Sequence, residues 1–455
     1  MESIRFKLRV LGIYLSVFCN AFVFTLVFPF ASKFVMDTGK SDSRSATGYW
    51  VGILTFSLML GRALASPIFG VICDKWGRKP VMLVGLFSTI VFSGLFGVSQ
   101  NYWWGVSIRF LTGFFTPLSL VCKTLLSETM PADKQASAMA WFAMSWQTGN
   151  ISGNVVGGIL VDPVSSGIVT GGILAEFPYL LPNLVASGVA VVTTVLVVFT
   201  LDETLKTDQQ KTSQDSRTIW DIAKEPVVLK ILVVYFLLCV NSTAYHELIS
   251  LWCWARKEHG GFEFRTEDIG ITLGISSTFL LLFQKRIHSY FVGKYGVLKF
   301  EQYTIGISVP VLLAIPLGTF LRYSATFSWV AVIACSICWW LNNFFCMSAM
   351  IVLSNNCVVA KERGRLNGIF LTVGSFARSI SPVVFGNVFA LTTESGYSYP
   401  INFAFSFNLM ALIAFIGSRI VQKLPPQLDY PKEKLIDNDE IHKHLLQNNS
   451  NFKDA

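Results

Sequence analysis

The sequence predicts an all-α membrane protein with twelve transmembrane helices in two six-helix bundles and with both termini in the cytoplasm. Of its 455 residues, 52% are hydrophobic and only 14% are charged. Its mean hydropathy is +0.53, which is too apolar for a water-soluble domain of this size. Apolar runs of about 20 residues, the length that crosses a hydrocarbon core of ~30 Å, recur along the chain.

The apolar runs divide evenly into six and six. The longest polar stretch between runs, 202–226, separates the sixth run from the seventh. The final segment has many charges and no apolar period, which favours disorder. The twelve runs are 8–30, 49–72, 80–98, 102–126, 136–160, 178–201, 227–251, 268–292, 301–321, 327–353, 366–391 and 401–422. The predicted parts are an N-terminal bundle at 1–201, a cytoplasmic linker at 202–226, a C-terminal bundle at 227–423 and a disordered cytoplasmic tail at 424–455.

The basic residues predict the orientation. Lys and Arg cluster before the first run and in the loops after the second, sixth and tenth runs, whereas the loops at 99–101, 161–177 and 392–400 are poor in them. Because basic loops stay in the cytoplasm, both termini are predicted there. The loop at 256–265 is an exception, because it contains basic residues but is predicted on the outer side. The first run is full length and lacks a small-residue cleavage site, so we expect it to remain as a helix.

Composition argues against several other classes of protein. The net charge of +8 is dispersed beside membrane ends, and no basic stretch alternates with aromatic residues, so no nucleic-acid partner is predicted. Nine cysteines and five histidines form no HExxH or paired CxxC pattern. We therefore predict no metal site and no cofactor. No nucleophile, base and orienting group form a recognisable motif, so we do not expect an enzyme.

Weak repeats relate the two halves. The chain reads GVICDKWGRK at 70–79 and SYFVGKYGVLK at 289–299, which places Gly77 opposite Gly296. Parallel halves of this kind suit a transporter whose binding site lies between them near the middle of the membrane. Chance similarity between apolar helices is the alternative.

The strongest local motif follows the second run. Glycines permit a tight turn there, an acid can accept charge-assisted hydrogen bonds, and basic residues hold the loop in the cytoplasm. The pattern resembles the signature loop of the major facilitator superfamily, and the resemblance implies a gate latch between the halves in the outward-open state. An ordinary basic loop is the alternative. The second half has Gly293 where the first has the acid, which predicts a one-sided latch. The motif residues are Gly70, Asp74, Gly77, Arg78 and Lys79.

Two further helices carry motifs that resemble this superfamily. Arg109, four residues before Gly113, is similar to its fourth-helix motif, which implies a role in proton coupling. A structural arginine bonded to carbonyl groups is the alternative. A small-residue stripe in the fifth helix resembles the motif of drug:proton antiporters, but Asn154 stands where that motif has proline. Close helix packing alone would also explain the stripe, which consists of Gly149, Gly153, Gly157 and Gly158.

One branch of the superfamily resembles the chain over a longer range. The zinc-induced facilitator-like branch is similar from about residue 8 to 422, through MLGRALASPIFG (59–70), TAYHELISLW (243–252), GGFEFRTEDIG (260–270) and ERGRLNG (362–368). The resemblance implies transport of zinc or its chelator, potassium, or organic solutes, often coupled to protons. Two departures weigh against zinc itself. The cysteine-rich motif near the first helices is absent, and the linker at 202–226 contains no histidine.

Ionisable residues inside predicted spans are candidates for function. Glu247 is the only acid well inside a predicted span, so it is the predicted proton carrier if transport is coupled to protons. His246 points about 100° away on the same helix. Pairing of Glu247 with Arg256 or Lys257 near the outer end of the helix is the alternative.

Arg378 lies near the middle of the eleventh run, where an unpaired guanidinium would favour an anionic or zwitterionic substrate. It could instead pair with a distant carboxylate. The predicted cavity set is Asn20, Gln147, Tyr245, His246, Asn342, Asn343 and Arg378. The pairs Trp103-Trp104 and Trp339-Trp340 are interpreted as interface belts or core packing.

Together these patterns predict a secondary active transporter that works by alternating access. Its substrate would be a small organic anion, a zwitterion or a metal chelate, and its movement would be coupled to protons. The alternatives are an uncoupled facilitator and a non-transporting receptor or sensor on the same fold. We expect a monomeric, multi-pass protein of the lipid bilayer, in either a vacuolar or lysosomal-type membrane or the plasma membrane.

Overall fold

The computed structural model is entirely helical over the residues it describes, which are 2–44, 46–130, 135–165, 167, 170–203, 219–395, 397–430 and 432. The predicted all-α class is confirmed. Most of the predicted linker and tail lies outside the described residues. The helices are α1 Glu2–Thr25, α2 Ala31–Asp37, α3 Gly48–Trp76, α4 Arg78–Gly97, α5 Tyr102–Phe115, α6 Leu118–Thr129, α7 Gln135–Ile159, α8 Ile173–Glu176, α9 Leu180–Thr200, α10 Ile219–Lys224, α11 Pro226–Trp254, α12 Thr266–Tyr295, α13 Val297–Ala314, α14 Ala325–Asn356, α15 Ala360–Glu394 and α16 Ala404–Val421.

Within this described part, eleven helical segments are long and apolar enough to cross a membrane. Two of them are broken helices. A 3-10 turn at Phe28–Phe30 joins α1 to α2, and Pro117, which has no backbone N–H, separates α5 from α6. The twelfth segment is α7, which has the length to span at 25 residues but contains several Asn, Gln and Gly residues. The predicted integral membrane protein is thereby confirmed; the sidedness of its termini stays a prediction.

The helices form two halves that meet along two helix pairs. Helices α1 to α9 form the first half and α11 to α16 form the second, with extensive packing inside each. Between the halves, α3 packs on α15 and α7 packs on α12. These two pairs form the seam. Any solute that crosses through the middle of the protein must pass between the halves.

The seam has close backbone contacts at one end of the bundle. We call the end where α1 begins and α16 ends the terminal end, and the opposite end the loop end. At the loop end, a Cβ on Gly48 would lie 2.5 Å from Gly386 O, and one on Gly158 would lie 2.7 Å from Gly270 Cα. Toward the terminal end, a Cβ on Gly70 or Gly293 would meet no atom within 4 Å. The close backbone contacts across the seam that these glycines report therefore lie at the loop end.

The segment after α16 packs against the second half. Leu424 and Leu428 are buried, and Asn356 Nδ2 donates to Leu428 O at 2.9 Å. Lys432 Nζ forms an ion pair with Glu225 at 3.0 Å. Ordered contacts of the second half thus extend at least to residue 432, past the predicted boundary at 423.

Candidate functional site

The predicted gate motif forms a tight turn at the terminal end. Gly77 has a φ of 101°, which a residue with a side chain rarely adopts. The Glu203 carboxylate lies against this glycine and accepts from the backbone N–H groups of Arg78 and Lys79 at 2.9 and 3.0 Å. A carboxylate at this position caps the first turn of α4 and complements its dipole. The side chain of Asp74 lies outside the described residues.

Arg78 holds the same turn from its other side. Its guanidinium is mostly buried, pairs with Glu128 at 2.9 Å and donates to Cys73 O at 2.9 Å. Lys79 Nζ donates to Val198 O at 2.9 Å. The basic residues of the motif therefore tie α3, α4, α6 and α9 together at the terminal end. The latch role of the motif stays a prediction.

The second half repeats the capped turn. Gly296 has a φ of 79°, and Asp429 Oδ1 accepts from Leu298 N at 2.7 Å. In each half, a carboxylate that follows the last long helix caps the helix that follows the glycine turn. The two glycines were paired from the sequence, but neither acid was linked to its turn, because Glu203 and Asp429 lie 125 and 131 residues from the N–H groups that they cap.

Two arginines lie between the helices of the first half. Arg109 is 4% exposed and donates to Val23 O at 3.3 Å. Arg62 donates to Asn20 Oδ1 at 2.6 Å, and Asn20 in turn donates to Ser119 Oγ at 2.6 Å. Within the described residues, the Nε of each arginine is buried without a hydrogen-bond partner. Both guanidinium groups therefore keep unused hydrogen-bonding capacity.

Four basic side chains form a group that we call the cation cluster. Arg62 is within electrostatic range of Arg109 and Arg378, and Lys123 is within range of Arg378. Arg378 lies beside Tyr235 and Cys239. Lys123 is exposed although it lies within a spanning segment, so it faces an open space. The cluster consists of Arg62, Arg109, Lys123 and Arg378.

No carboxylate neutralises the cation cluster in the part of the chain that the structure describes. A single Arg or Lys at the centre of a bilayer costs at least about 2.5 kcal/mol, so unpaired cations at this depth face water or a ligand. The alternative that Arg378 pairs with a distant carboxylate is therefore wrong for the described residues. The positive charge of the cluster is therefore not compensated by any described carboxylate.

An aromatic wall lies next to the cluster. The His246 ring lies between Phe28 of the first half and Trp340 of the second, at centroid distances of 5.3 and 4.1 Å. The guanidinium carbon of Arg62 lies 5.4 Å from the centroid of the Phe24 ring, which joins the wall to the cluster. We define the wall as Phe24, Phe28, Trp146, His246 and Trp340. His246 was predicted to line the cavity and Trp340 was interpreted as an interface belt or core packing, whereas Phe24, Phe28 and Trp146 were missed because aromatic residues are common throughout this sequence.

Glu247 lies in the seam itself. Its side chain is fully buried, seven residues or about 10 Å before α11 ends. A Cβ on Gly386 would lie 2.8 Å from Glu247 Oε1, and one on Gly52 would lie 3.4 Å from it. Within the described residues, neither carboxyl oxygen has a hydrogen-bond partner. The predicted alternative, pairing with Arg256 or Lys257, is not what the structure shows.

The other predicted cavity residues divide into two groups. Tyr245 packs on Trp339 at 5.1 Å inside the second half, so it belongs to the core. Asn342 Nδ2 donates to Ser308 Oγ at 2.5 Å, and Asn343 Nδ2 donates to Ser242 Oγ at 3.2 Å. Gln147 is half-buried on α7. Three members of the predicted cavity set remain at the centre. Arg378 belongs to the cation cluster, Asn20 accepts a hydrogen bond from Arg62 of that cluster, and His246 belongs to the aromatic wall.

A second buried acid was missed. Glu301 is fully buried near the start of α13, where Thr304 Oγ1 lies 3.4 Å from its Oε2. Sequence analysis placed it at the boundary of a span, where an acid is normally solvated. It lies inside the second half, away from the seam.

The glycine stripe of α7 makes two kinds of contact. A Cβ on Gly149 would lie 2.5 Å from Phe18 O and one on Gly153 2.5 Å from Phe22 O, and Gly157 is close to Leu26 O. These three glycines therefore let α7 approach α1. Gly158 faces Gly270 across the seam. Within the described residues, no three His, Cys, Asp or Glu side chains form a group that could hold a metal ion.

The fold and the site together define a polytopic membrane carrier whose polar centre lies between two helical halves. Residues 13–382 match the Major Facilitator Superfamily. The chain belongs to this family, as the sequence predicted. Its members are transporters, and the prediction that the chain is not an enzyme is confirmed.

Several known proteins are similar to the chain. The protein ZINC INDUCED FACILITATOR 1 of Arabidopsis thaliana is 28% identical over 409 residues, with 83% of each chain covered. A probable peptide/nitrate transporter of the same plant is 30% identical over 406 residues, covering 83% of this chain and 82% of its own. The efflux pump azaK of Aspergillus niger is 24% identical over 435 residues, covering 90% of this chain and 87% of its own. The predicted resemblance to the zinc-induced facilitator-like branch is confirmed.

Solved structures share the fold at low sequence identity. A D-xylose-proton symporter superposes with a TM-score of 0.71 at 14% identity and covers 92% of this chain and 98% of its own. A bacterial homologue of the human lysosomal transporter Spinster, in an inward-facing and unoccupied conformation, gives 0.70 at 13% identity and covers 94% and 98%. At this identity the similarity establishes the fold alone.

Proposed function

We propose that this protein is a proton-coupled secondary transporter of small organic anions or zwitterions that works by alternating access. One observation carries the proposal. Arg378 faces Arg62 and Lys123 from the opposite half, and no carboxylate among the described residues neutralises them. A site of this charge attracts anions and repels cations. The relatives, which include an efflux pump and a probable peptide/nitrate transporter, are compatible with small solutes.

The two ends of the seam support alternating access. The loop end is held shut by backbone contacts between α3 and α15 and between α7 and α12, whereas Gly70 and Gly293 have no neighbours across the seam. Rocking of one half against the other would open the first set of contacts and close the second. With the predicted cytoplasmic termini, the closed loop end faces away from the cytoplasm. The motif at 70–79 would then latch the opposite state.

Glu247 is the proposed proton carrier. An ionised carboxylate without a partner is very costly in a dry environment, so the closed loop end accommodates the neutral acid. Separation of α3 from α15, which carry Gly52 and Gly386 beside Glu247, would admit water to the carboxyl group and allow it to ionise. Proton binding would therefore favour closure of the loop end. Arg109 is the second residue proposed to couple proton movement to transport. It lies within electrostatic range of Arg62, so a negatively charged substrate bound at Arg62 would also act on Arg109.

Flux in proteoliposomes tests the proposal. The purified protein is reconstituted with a lumenal pH dye, a pH gradient is imposed, and organic anions, organic cations, zinc, nicotianamine and potassium are added in turn. Anion-dependent proton movement is the expected result. Anion flux without protons would mean an uncoupled facilitator. Transport of cations alone would overturn the anion assignment, and binding without flux would indicate a receptor or sensor.

A further inference from the structure

The cation cluster is divided between the two halves. Arg62 lies on α3 and Lys123 on α6, both in the first half, whereas Arg378 lies on α15 in the second half. Arg378 is within electrostatic range of both of the others. Like charges therefore face one another from the two bodies that must approach when the terminal end closes.

No described carboxylate pairs with the cations of either half. Arg62 uses one N–H group on Asn20 and has a buried Nε without a partner in the described chain. Lys123 makes no described hydrogen bond through its ammonium group, which lies 5.5 Å from the centroid of the Phe142 ring. Arg378 donates to the side chains of Tyr235 and Cys239 and forms no ion pair with any described carboxylate. A guanidinium binds a carboxylate through two parallel hydrogen bonds, so each half can hold an anionic group of its own.

The side chains beside Arg62 are aromatic, which favours an organic ligand body. The aromatic wall begins at Phe24, directly against the Arg62 guanidinium, and crosses the seam through the contact of Phe28 with His246. Flat rings stack on aromatic side chains at the 4.5–7 Å centroid spacings typical of such pairs. A small inorganic anion would leave this wall without a partner.

We infer that the substrate is an organic dianion whose two anionic groups bridge the halves. One group binds Arg62 of the first half, the other binds Arg378 of the second half, and the unsaturated or cyclic body between them lies on the aromatic wall. Binding of this ligand cancels the repulsion between the halves and allows the terminal end to close. The inference rests on the proposed function, since it specifies the charge and shape of the organic anion that the carrier moves.

Binding of matched benzene carboxylates tests the inference. Benzoate carries one carboxylate, whereas phthalate, isophthalate and terephthalate carry two at increasing separation on the same ring. Titration calorimetry in lipid nanodiscs near neutral pH should give at least one dicarboxylate an affinity about 10-fold or more above that of benzoate, the gain of one further charge-assisted bond. Inorganic phosphate should compete weakly. Equal binding of benzoate and all three dicarboxylates, or competition by phosphate as strong as that by the best dicarboxylate, would overturn the inference.

Single-charge variants locate the two anionic groups. Arg62→Gln and Arg378→Gln should each reduce affinity for the preferred dicarboxylate about 10- to 100-fold and leave benzoate affinity within about 3-fold, because benzoate can use the remaining arginine. Arg62→Lys and Arg378→Lys preserve the charge and should retain a preference for the dicarboxylate, which guards against a folding defect. Arg419→Gln removes an exposed cation bonded to Gln422 and serves as the matched control.

The outcomes separate this inference from the proposed function. If benzoate and the dicarboxylates are transported alike in proteoliposomes, the anion carrier stands and the bridging dianion is wrong. If organic cations or neutral amides are transported and no carboxylate is, both are wrong. Loss of benzoate and dicarboxylate binding to the same extent in Arg62→Gln and Arg378→Gln would also overturn the bridge.

Discussion

The imidazole of His246 stacks on the Phe28 ring at an interplanar angle of 19° and a centroid distance of 5.3 Å. His246 belongs to α11 of the second half, whereas Phe28 lies in the turn between α1 and α2 of the first. A ring contact between the halves means that movement of either half changes the shape of the aromatic wall. A solute on the wall therefore responds to the state of the seam.

Removal of the His246 ring should weaken substrate binding through lost stacking. His246→Ala should reduce the affinity for an organic anion about 3- to 10-fold, because an aromatic pair contributes about 0.5–1.5 kcal/mol. His246→Phe retains a ring and should stay within about 2-fold of the wild type by the same reasoning. Titration in nanodiscs measures both. Equal losses in the two variants would show that the imidazole nitrogens, rather than the ring, determine affinity.

Replacement of Glu247 with Gln should uncouple transport from the pH gradient. The amide has nearly the shape of the neutral acid that the closed seam accommodates, but it cannot release a proton. We expect uphill uptake driven by a pH gradient to be lost, while exchange of labelled for unlabelled solute continues. Glu301→Gln is the matched control, since Glu301 is equally buried but lies away from the seam. An unchanged dependence of flux on pH in Glu247→Gln would contradict the proposed role.

The two capping carboxylates should contribute to stability to a similar degree. Glu203→Ala and Asp429→Ala each leave N–H groups of α4 or α13 uncapped, which typically costs about 0.5–2 kcal/mol. Asp202→Ala is the control, because Asp202 pairs with Arg5 at the surface and such pairs contribute about 0–1 kcal/mol. Thermal unfolding in detergent should rank both cap variants below the control. A ranking in which Asp202→Ala is the least stable would contradict the capping role.

Asp162 should make the loop end sensitive to acid. Its partial burial works against ionisation, but the bond from Lys33 at 3.1 Å outweighs this and lowers the pKa of Asp162 below its ordinary value of 3.8. Because folding lowers the pKa of Asp162, the ion pair with Lys33 contributes its full stability at pH values above 3.8. This contribution is lost as the pH falls through the lowered pKa of the folded state. The Tm advantage of the wild type over Asp162→Asn should therefore shrink in acid. A constant difference from neutral pH to acid would contradict this.

Local chemistry could be predicted from the sequence, whereas partnerships between distant residues could not. The turn at Gly77 and its repeat at Gly296 were predictable because the requirement for a positive φ lies within a few residues. Glu203 was not linked to that turn, because only the packing of α9 beside α4 brings it there. Asn342 was predicted to line a cavity because it is polar in an apolar helix, yet Ser308 of a neighbouring helix satisfies it. Periodicity indicates which face a residue occupies but not what covers that face.

Closure of the loop end should depend on the glycines of the seam. A Cβ on Gly158 would lie 2.7 Å from both Gly270 Cα and Thr266 O, and backbone atoms cannot move aside as a flexible side chain can. Gly158→Ala should therefore hold α7 away from α12 and reduce transport about 5- to 150-fold, because a misfit that costs about 1–3 kcal/mol acts on one of the two states only. Gly188→Ala on α9 is the control, since a Cβ there meets no atom within 4 Å.

Distances between spin labels placed at the loop ends of α7 and α12 provide the direct measurement. Gly158→Ala should shift their distribution toward longer separations, and Gly188→Ala should leave it unchanged. A stripe of small residues can also serve packing alone. If Gly158→Ala transports at the wild-type rate and its distance distribution is not shifted, the contact between Gly158 and Gly270 does not control closure of the seam.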